Sequence, residues 1–156
     1  MEGTGVTAPE GFRAAGVAAG LKGEGQLDLG LLVSDRPTAS AIVDTPSALP
    51  SAAVMYTRTL HSGGLRGVVV NSGCANAATG EQGIADARVM GETAAAAAQV
   101  PTGSLAVCST GVIGERLPMK LLTAGMDSAA AALTSDGGTD FGEAIRTTDA
   151  FAKGGT

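Results

Sequence analysis

At 156 residues, 44% of them hydrophobic and 16% charged, the chain has the size of one domain and is long enough to bury a core. A formal net charge of −5, 3% aromatic residues and no Trp argue against nucleic acid or an anionic membrane surface as a partner. No apolar run is long enough to span a bilayer, and Met1 is not followed by a basic and then an apolar signal segment, so a cytoplasmic location is expected.

Glycine, with 24 residues, divides the chain into elements, and alanine fills most of the helical patterns. Residues 12–21, "FRAAGVAAGL", are short and Gly-broken and predict a first strand. After a "KGEGQ" turn, residues 27–34 alternate and then run apolar, which predicts a second. A third is expected at residues 38–43, beyond the Arg36-Pro37 break. Residues 47–60 then carry helical spacing, with Leu49, Ala52, Ala53, Tyr56 and Leu60 on one face and Pro50 in the first turn.

Residues 65–70 predict a buried strand, and residues 83–99 the clearest helix, with Ile84, Ala87, Met90, Ala94 and Ala98 in a stripe. Gly91 costs that helix about 1 kcal/mol relative to Ala, which points to a close packing contact there. A strand at 105–109, a helix at 118–133 and one or two helical turns at 140–146 complete the pattern. Strands alternating with helices predict an α/β fold.

Two stretches concentrate the chemistry: "GVVVNSGCANAATG" from Gly67 to Gly80, and "LAVCSTGVIG" from Leu105 to Gly114. In each, a β-branched or apolar run stops in small polar residues before a helical pattern. That is the form of a strand, a loop and a helix start, where unpaired N–H groups can face developing negative charge. Thr110 and Gly111 are thus candidates for an oxyanion hole, although a tight turn needing Gly111 at positive φ would give the same sequence. Asn71, Ser72, Asn76 and Thr79 either bind local backbone or line a polar pocket. Glu81 reads as a helix N-terminal charge.

Other chemistries are weakly represented. Neither dinucleotide nor P-loop glycine spacing is present, so nucleotide binding is unsupported. Cys74 and Cys108 have no partners at metal-ligand spacing and are expected to be small buried hydrophobes in a reducing compartment. "VCSTG" lacks the first glycine of a nucleophile elbow. A serine hydrolase built on Ser109 would also have to recruit the single histidine, His61, which sits at an apparent helix end.

Taken together, "GVTAPEGFRAAGVAAGLK", "NSGCANAATGEQG", "CSTGVIGERLPM" and "TTDAFAK" closely resemble the glutamate N-acetyltransferase, or ornithine acetyltransferase, family of arginine biosynthesis. The four motifs occur in family order from Gly5 to Lys153, while residues 42–60 diverge. The resemblance implies a layered α/β sandwich built by two chains cut from one precursor. Residues 1–156 would form the N-terminal, α-chain part of that domain, and the β chain would begin with a nucleophilic threonine activated by its own amine. That threonine would take acetyl from N-acetylornithine and pass it to glutamate, some members also using acetyl-CoA.

By position, Thr110 and Gly111 correspond to the oxyanion-stabilising pair and Thr147 to a substrate-binding residue. No cofactor and no metal is implied, and the expected assembly is a hetero-oligomer of α and β chains. Arg146 stands where the family usually has an apolar residue. The chain ends at Thr156, ahead of the family's cleavage site. Lys153 is thus the lysine after "TTD", and the chain alone is expected to be inactive and to expose apolar surface. A remnant that binds acetylated amino acids, or that assembles with an intact homologue, is the alternative expectation.

Overall fold

The structure, a computed structural model, describes residues 5–60 and 64–153; His61 and Thr156 lie outside the described residues. Its centre is a four-stranded sheet in the order β1-β2-β3-β4, formed by Phe12–Val17, Leu29–Ser34, Gly67–Cys74 and Leu105–Val112. The first three strands are antiparallel neighbours, whereas β3 and β4 run parallel. A parallel pair needs a crossover, and α2 (Gly80–Ala97) supplies it. The helices α1 (Ala52–Thr57), α3 (Met119–Ala131) and α4 (Gly138–Ala144) complete the chain.

Period-two alternation assigns the two faces of the sheet. Leu29, Leu31, Val33, Val69, Leu105 and Val107 point to one side and are buried against Tyr56 of α1, Ala87, Met90 and Ala94 of α2, and Leu122 and Met126 of α3. Each large side chain so removed from water stabilises the fold by roughly 1.5–3 kcal/mol. On the other side Gly16 and Gly30 are register partners, and neither has room for a side chain: α4 lies there, with the Asp140 backbone on Gly16 and the Phe141 ring on Gly30. Beyond α4 this second face stays open, with Val68, Val70 and Ala106 half-buried and Cys108 exposed.

The helix predicted at 83–99 forms, and Gly91 is the packing contact expected: a Cβ there would stand 2.7 Å from the Tyr56 ring. Three expectations give way. Residues 38–43 form no strand: Thr38 donates its hydroxyl to Leu65 O at 2.8 Å and Ser40 accepts from Leu65 N at 3.2 Å. Those side-chain bonds take the place of a strand ladder. The helix expected over 47–60 is confined to Ala52–Thr57; Ser51 caps it, accepting from Val54 N, so Pro50 precedes the helix. Lastly, "NSGC" and "STGV" are strand residues, since β3 and β4 each run on to the eighth residue.

Candidate active site

The extra length of β3 and β4 builds a cleft. Ser72 pairs with Thr110 and Gly73 with Gly111 in parallel register. Both glycines have positive φ, +113° and +134°, a region that favours glycine. A Cβ on Gly111 would overlap the Gly73 carbonyl and stand 2.5 Å from Cys74 N, so the two backbones meet with nothing between them. Beside this pair lies an open cleft of about 540 Å³ lined by Lys22, Gln26, Gly73, Thr110, Gly111, Val112, Thr147 and Thr148. The three residues singled out in the sequence, Thr110, Gly111 and Thr147, thus share one cavity.

The phase of the β4 ladder follows from two contacts. Val112 O accepts from Ala75 N, so Val112 bonds toward β3. Val107 N and Val107 O instead bond the Thr57 hydroxyl, both at 3.0 Å, and so face away from β3. Alternation along the strand then directs the Gly111 N–H away from β3 as well.

The second wall is organised by a residue that sequence reasoning passed over. Asp28, fully buried, accepts from the N–H groups of Ala19, Gly20, Leu21 and Lys22 at 2.6–3.0 Å. Its own backbone bonds Val17 on one side and Ser72 on the other. A carboxylate receiving four N–H groups fixes the 19–22 loop against the sheet. From that loop the Lys22 ammonium reaches Leu27 O at 3.0 Å and Arg146 O. Desolvation lowers the Lys22 pKa from its ordinary value, an effect the nearby Asp28 charge opposes. The legible signal was an acid at the head of an apolar strand just after a Gly-rich turn.

Arg146 does not displace Thr147. Its guanidinium folds back onto Glu143 at 2.5 Å and the Asp149 carbonyl at 3.3 Å, leaving Thr147 and Thr148 on the cleft. None of residues 42–60 lines the cleft.

The remaining candidates are structural. Asn71 donates to Cys74 O (2.8 Å), Ser72 to Ala144 O (2.5 Å) and Asn76 to Gly83 O (2.9 Å), while Thr79 donates to Asn76 Oδ1 (2.8 Å); three hold backbone, the fourth holds Asn76, and none lines the cleft. Glu81 lies in the first turn of α2, as expected. Ser109 Oγ is buried, without a hydrogen-bond partner among the described residues, and Ser109 does not line the cleft. Cys74 is buried as expected, but Cys108 is exposed because it faces the open side of β4. Although that residue is exposed, its sulfur is crowded enough that desolvation pushes the thiol pKa up, so no activated thiolate is held there. Among the described residues no cluster of His, Cys, Asp or Glu is disposed to hold a metal ion, and no helix is long and apolar enough to cross a membrane.

The ArgJ family model matches residues 13–156. The arginine biosynthesis bifunctional protein ArgJ of Thermobifida fusca is 49% identical over 150 residues, which are 95% of this chain and 39% of that protein. The protein of the same description from Mycobacterium tuberculosis is 47% identical over 158 residues, covering 96% of this chain and 39% of that protein. The chain thus spans about two fifths of the length of these relatives. The crystal structure of M. tuberculosis ornithine acetyltransferase complexed with ornithine superposes with a TM-score of 0.90 at 43% identity, covering 97% of this chain and 83% of that chain. Sequence, length of match and backbone geometry agree, and the chain belongs to the ArgJ family.

Proposed function

We propose that residues 1–156 are the α-chain part of a glutamate N-acetyltransferase that moves acetyl from N-acetylornithine to glutamate in the cytoplasm, as a step of arginine biosynthesis. The observation that carries this reading is the convergence of Thr110, Gly111 and Thr147 on one cleft. Family membership supports it, as does the ornithine complex of the M. tuberculosis relative. This chain matches 83% of the chain in that crystal but only 39% of the full M. tuberculosis protein. The crystal chain is therefore less than half the protein's length, which supports a protein divided into two chains. Exposed Val112 and Ile113 beside the cleft, 53% and 69% accessible, suit a surface that a β chain covers.

In the proposed reaction the β-chain threonine hydroxyl attacks the acetyl carbonyl of N-acetylornithine while its own amine takes the proton. The oxyanion forms beside the Thr110 hydroxyl and the Gly111 N–H, which stabilise it. The C–N bond breaks, ornithine leaves as the amine with that proton, and acetyl remains as a threonine ester. The glutamate amine then attacks the ester through the same oxyanion geometry, releasing N-acetylglutamate and restoring the threonine. The Thr147 hydroxyl orients the amino-acid part of either substrate.

The test is acetyl transfer from N-acetylornithine to glutamate by this chain joined to the segment that completes it. Removing one oxyanion donor with Thr110→Val is expected to lower kcat by about 10²-fold with the assembly intact. An unchanged kcat would remove Thr110 from the mechanism.

A further inference from the structure

We propose that Lys22 is a positioning residue of this site: its ammonium joins the 19–22 loop to Arg146 O and so sets Thr147 opposite Thr110 and Gly111. The inference rests on the function proposed above and adds to it the group that determines where the amino-acid end of the substrate is held.

Three observations carry it. The first is the loop's own fixity, since Asp28 receives the N–H groups of Ala19 through Lys22 before the Lys22 side chain makes any contact. The second is that the same loop abuts the oxyanion wall: the Leu21 carbonyl lies 3.0 Å from where a Gly73 Cβ would stand, and Gly73 is the register partner of Gly111. The third is that Lys22 is a cleft-lining residue that spends two of its three donors on carbonyls, Leu27 O within its own hairpin and Arg146 O immediately before Thr147. The loop therefore touches both walls, and among the described residues it is the Lys22 ammonium that ties it to the 146–148 wall, through Arg146 O. Arg146 N bonds Glu143 O, back within α4, so that bond does not hold the segment to the sheet.

This link is separable from folding. Buried Phe141 and Ala144 seat α4 on the sheet, and the Ser72 hydroxyl bonds Ala144 O, all without Lys22. Removing the ammonium should free residues 146–148 while α4 stays docked. The loss then falls on the binding of the amino-acid end of the substrate, an interaction made alike in the bound and the transition state.

The experiment compares Lys22→Met, Lys22→Gln and Lys22→Arg in the assembled enzyme, with Thr110→Val run in parallel. Lys22→Met is expected to raise KM for N-acetylornithine about tenfold while kcat changes less than about threefold. Lys22→Arg, which can still bridge two carbonyls, should recover most of that loss, and Lys22→Gln should fall between. An unchanged KM in Lys22→Met, or Lys22→Arg behaving like Lys22→Met, would overturn the proposal. If Lys22→Met does not assemble, a wild-type KM in Lys22→Gln overturns it equally. Thr110→Val keeps the two readings apart. Loss of kcat there with wild-type KM in the Lys22 variants sinks only the positioning role, whereas wild-type kcat in Thr110→Val sinks the oxyanion assignment beneath it.

Discussion

Asp28 shows how much one side chain can organise. Its carboxylate is fully buried and satisfied by four backbone N–H groups. Asp28→Ala strands those donors, and the expected loss is about 3 kcal/mol, read from the midpoint of urea unfolding. Asp28→Asn keeps one acceptor oxygen and should lose less. At this scale the sequence was legible where a residue type has few uses. Gly91 in an alanine-rich helix announced a close neighbour, which proved to be Tyr56. Thr110 and Gly111 were candidates from their place at the end of a strand-like run, with a tight turn as the alternative until the family motifs were added; Thr147 was reached through those motifs alone. Lys22 and Asp28 stayed hidden because a lysine and an aspartate near a glycine turn ordinarily face water, and only tertiary structure closes the loop around them.

Among the elements, regular periodicity was the reliable guide. The sheet strands and both long helices stand close to where alternation and helical spacing place them, because each buries a continuous apolar stripe. Residues 38–50 defeated the same reasoning. Short hydroxyl side chains there satisfy backbone groups locally: Thr45 Oγ1 accepts from Ser47 N, and Ser47 Oγ from Leu49 N, which disfavours the helix expected upstream of Pro50. The segment is pinned to α1 by Arg58, which holds Asp44 in a two-pronged pair at 2.7 and 2.9 Å. Hydrogen bonding from Arg58 keeps the Asp44 carboxyl below its ordinary 3.8. A depressed carboxylate pKa contributes stability that is present above the unfolded value and lost as pH falls through the folded one. Proteolysis within residues 40–50 should therefore be slow at about pH 5 and faster at about pH 3, and Asp44→Asn should be cut faster already at about pH 5.

Over the whole molecule, stability is graded across the sheet. Among the described residues, strands β2 and β3 are flanked by strands on both sides and the first face of the sheet lies under three helices, whereas β4 has one strand neighbour and α4 is the helix on the second face. Amide exchange is expected to be slowest in Leu29–Ser34 and Gly67–Cys74, and at least about 10²-fold faster through residues 38–50, when measured by mass spectrometry or NMR. Equal protection of both regions would refute the gradient. The α/β class was legible because strand and helix patterns alternate along the chain. The cleft was not, because its walls come from the first hairpin, two strand ends and the segment after α4, and no local pattern records their meeting.

The meeting of Gly73 with Gly111 also constrains how this chain can change. Two large residues in contact can trade volume, one shrinking as the other grows, so a harmful substitution often has a suppressor at its neighbour. Here the obstacle to a side chain on Gly111 is the Gly73 carbonyl and the Cys74 nitrogen, atoms every residue carries. Gly73 has no side chain left to give up. A lineage that loses Gly111 has no compensating step at Gly73, and the route back is reversion alone.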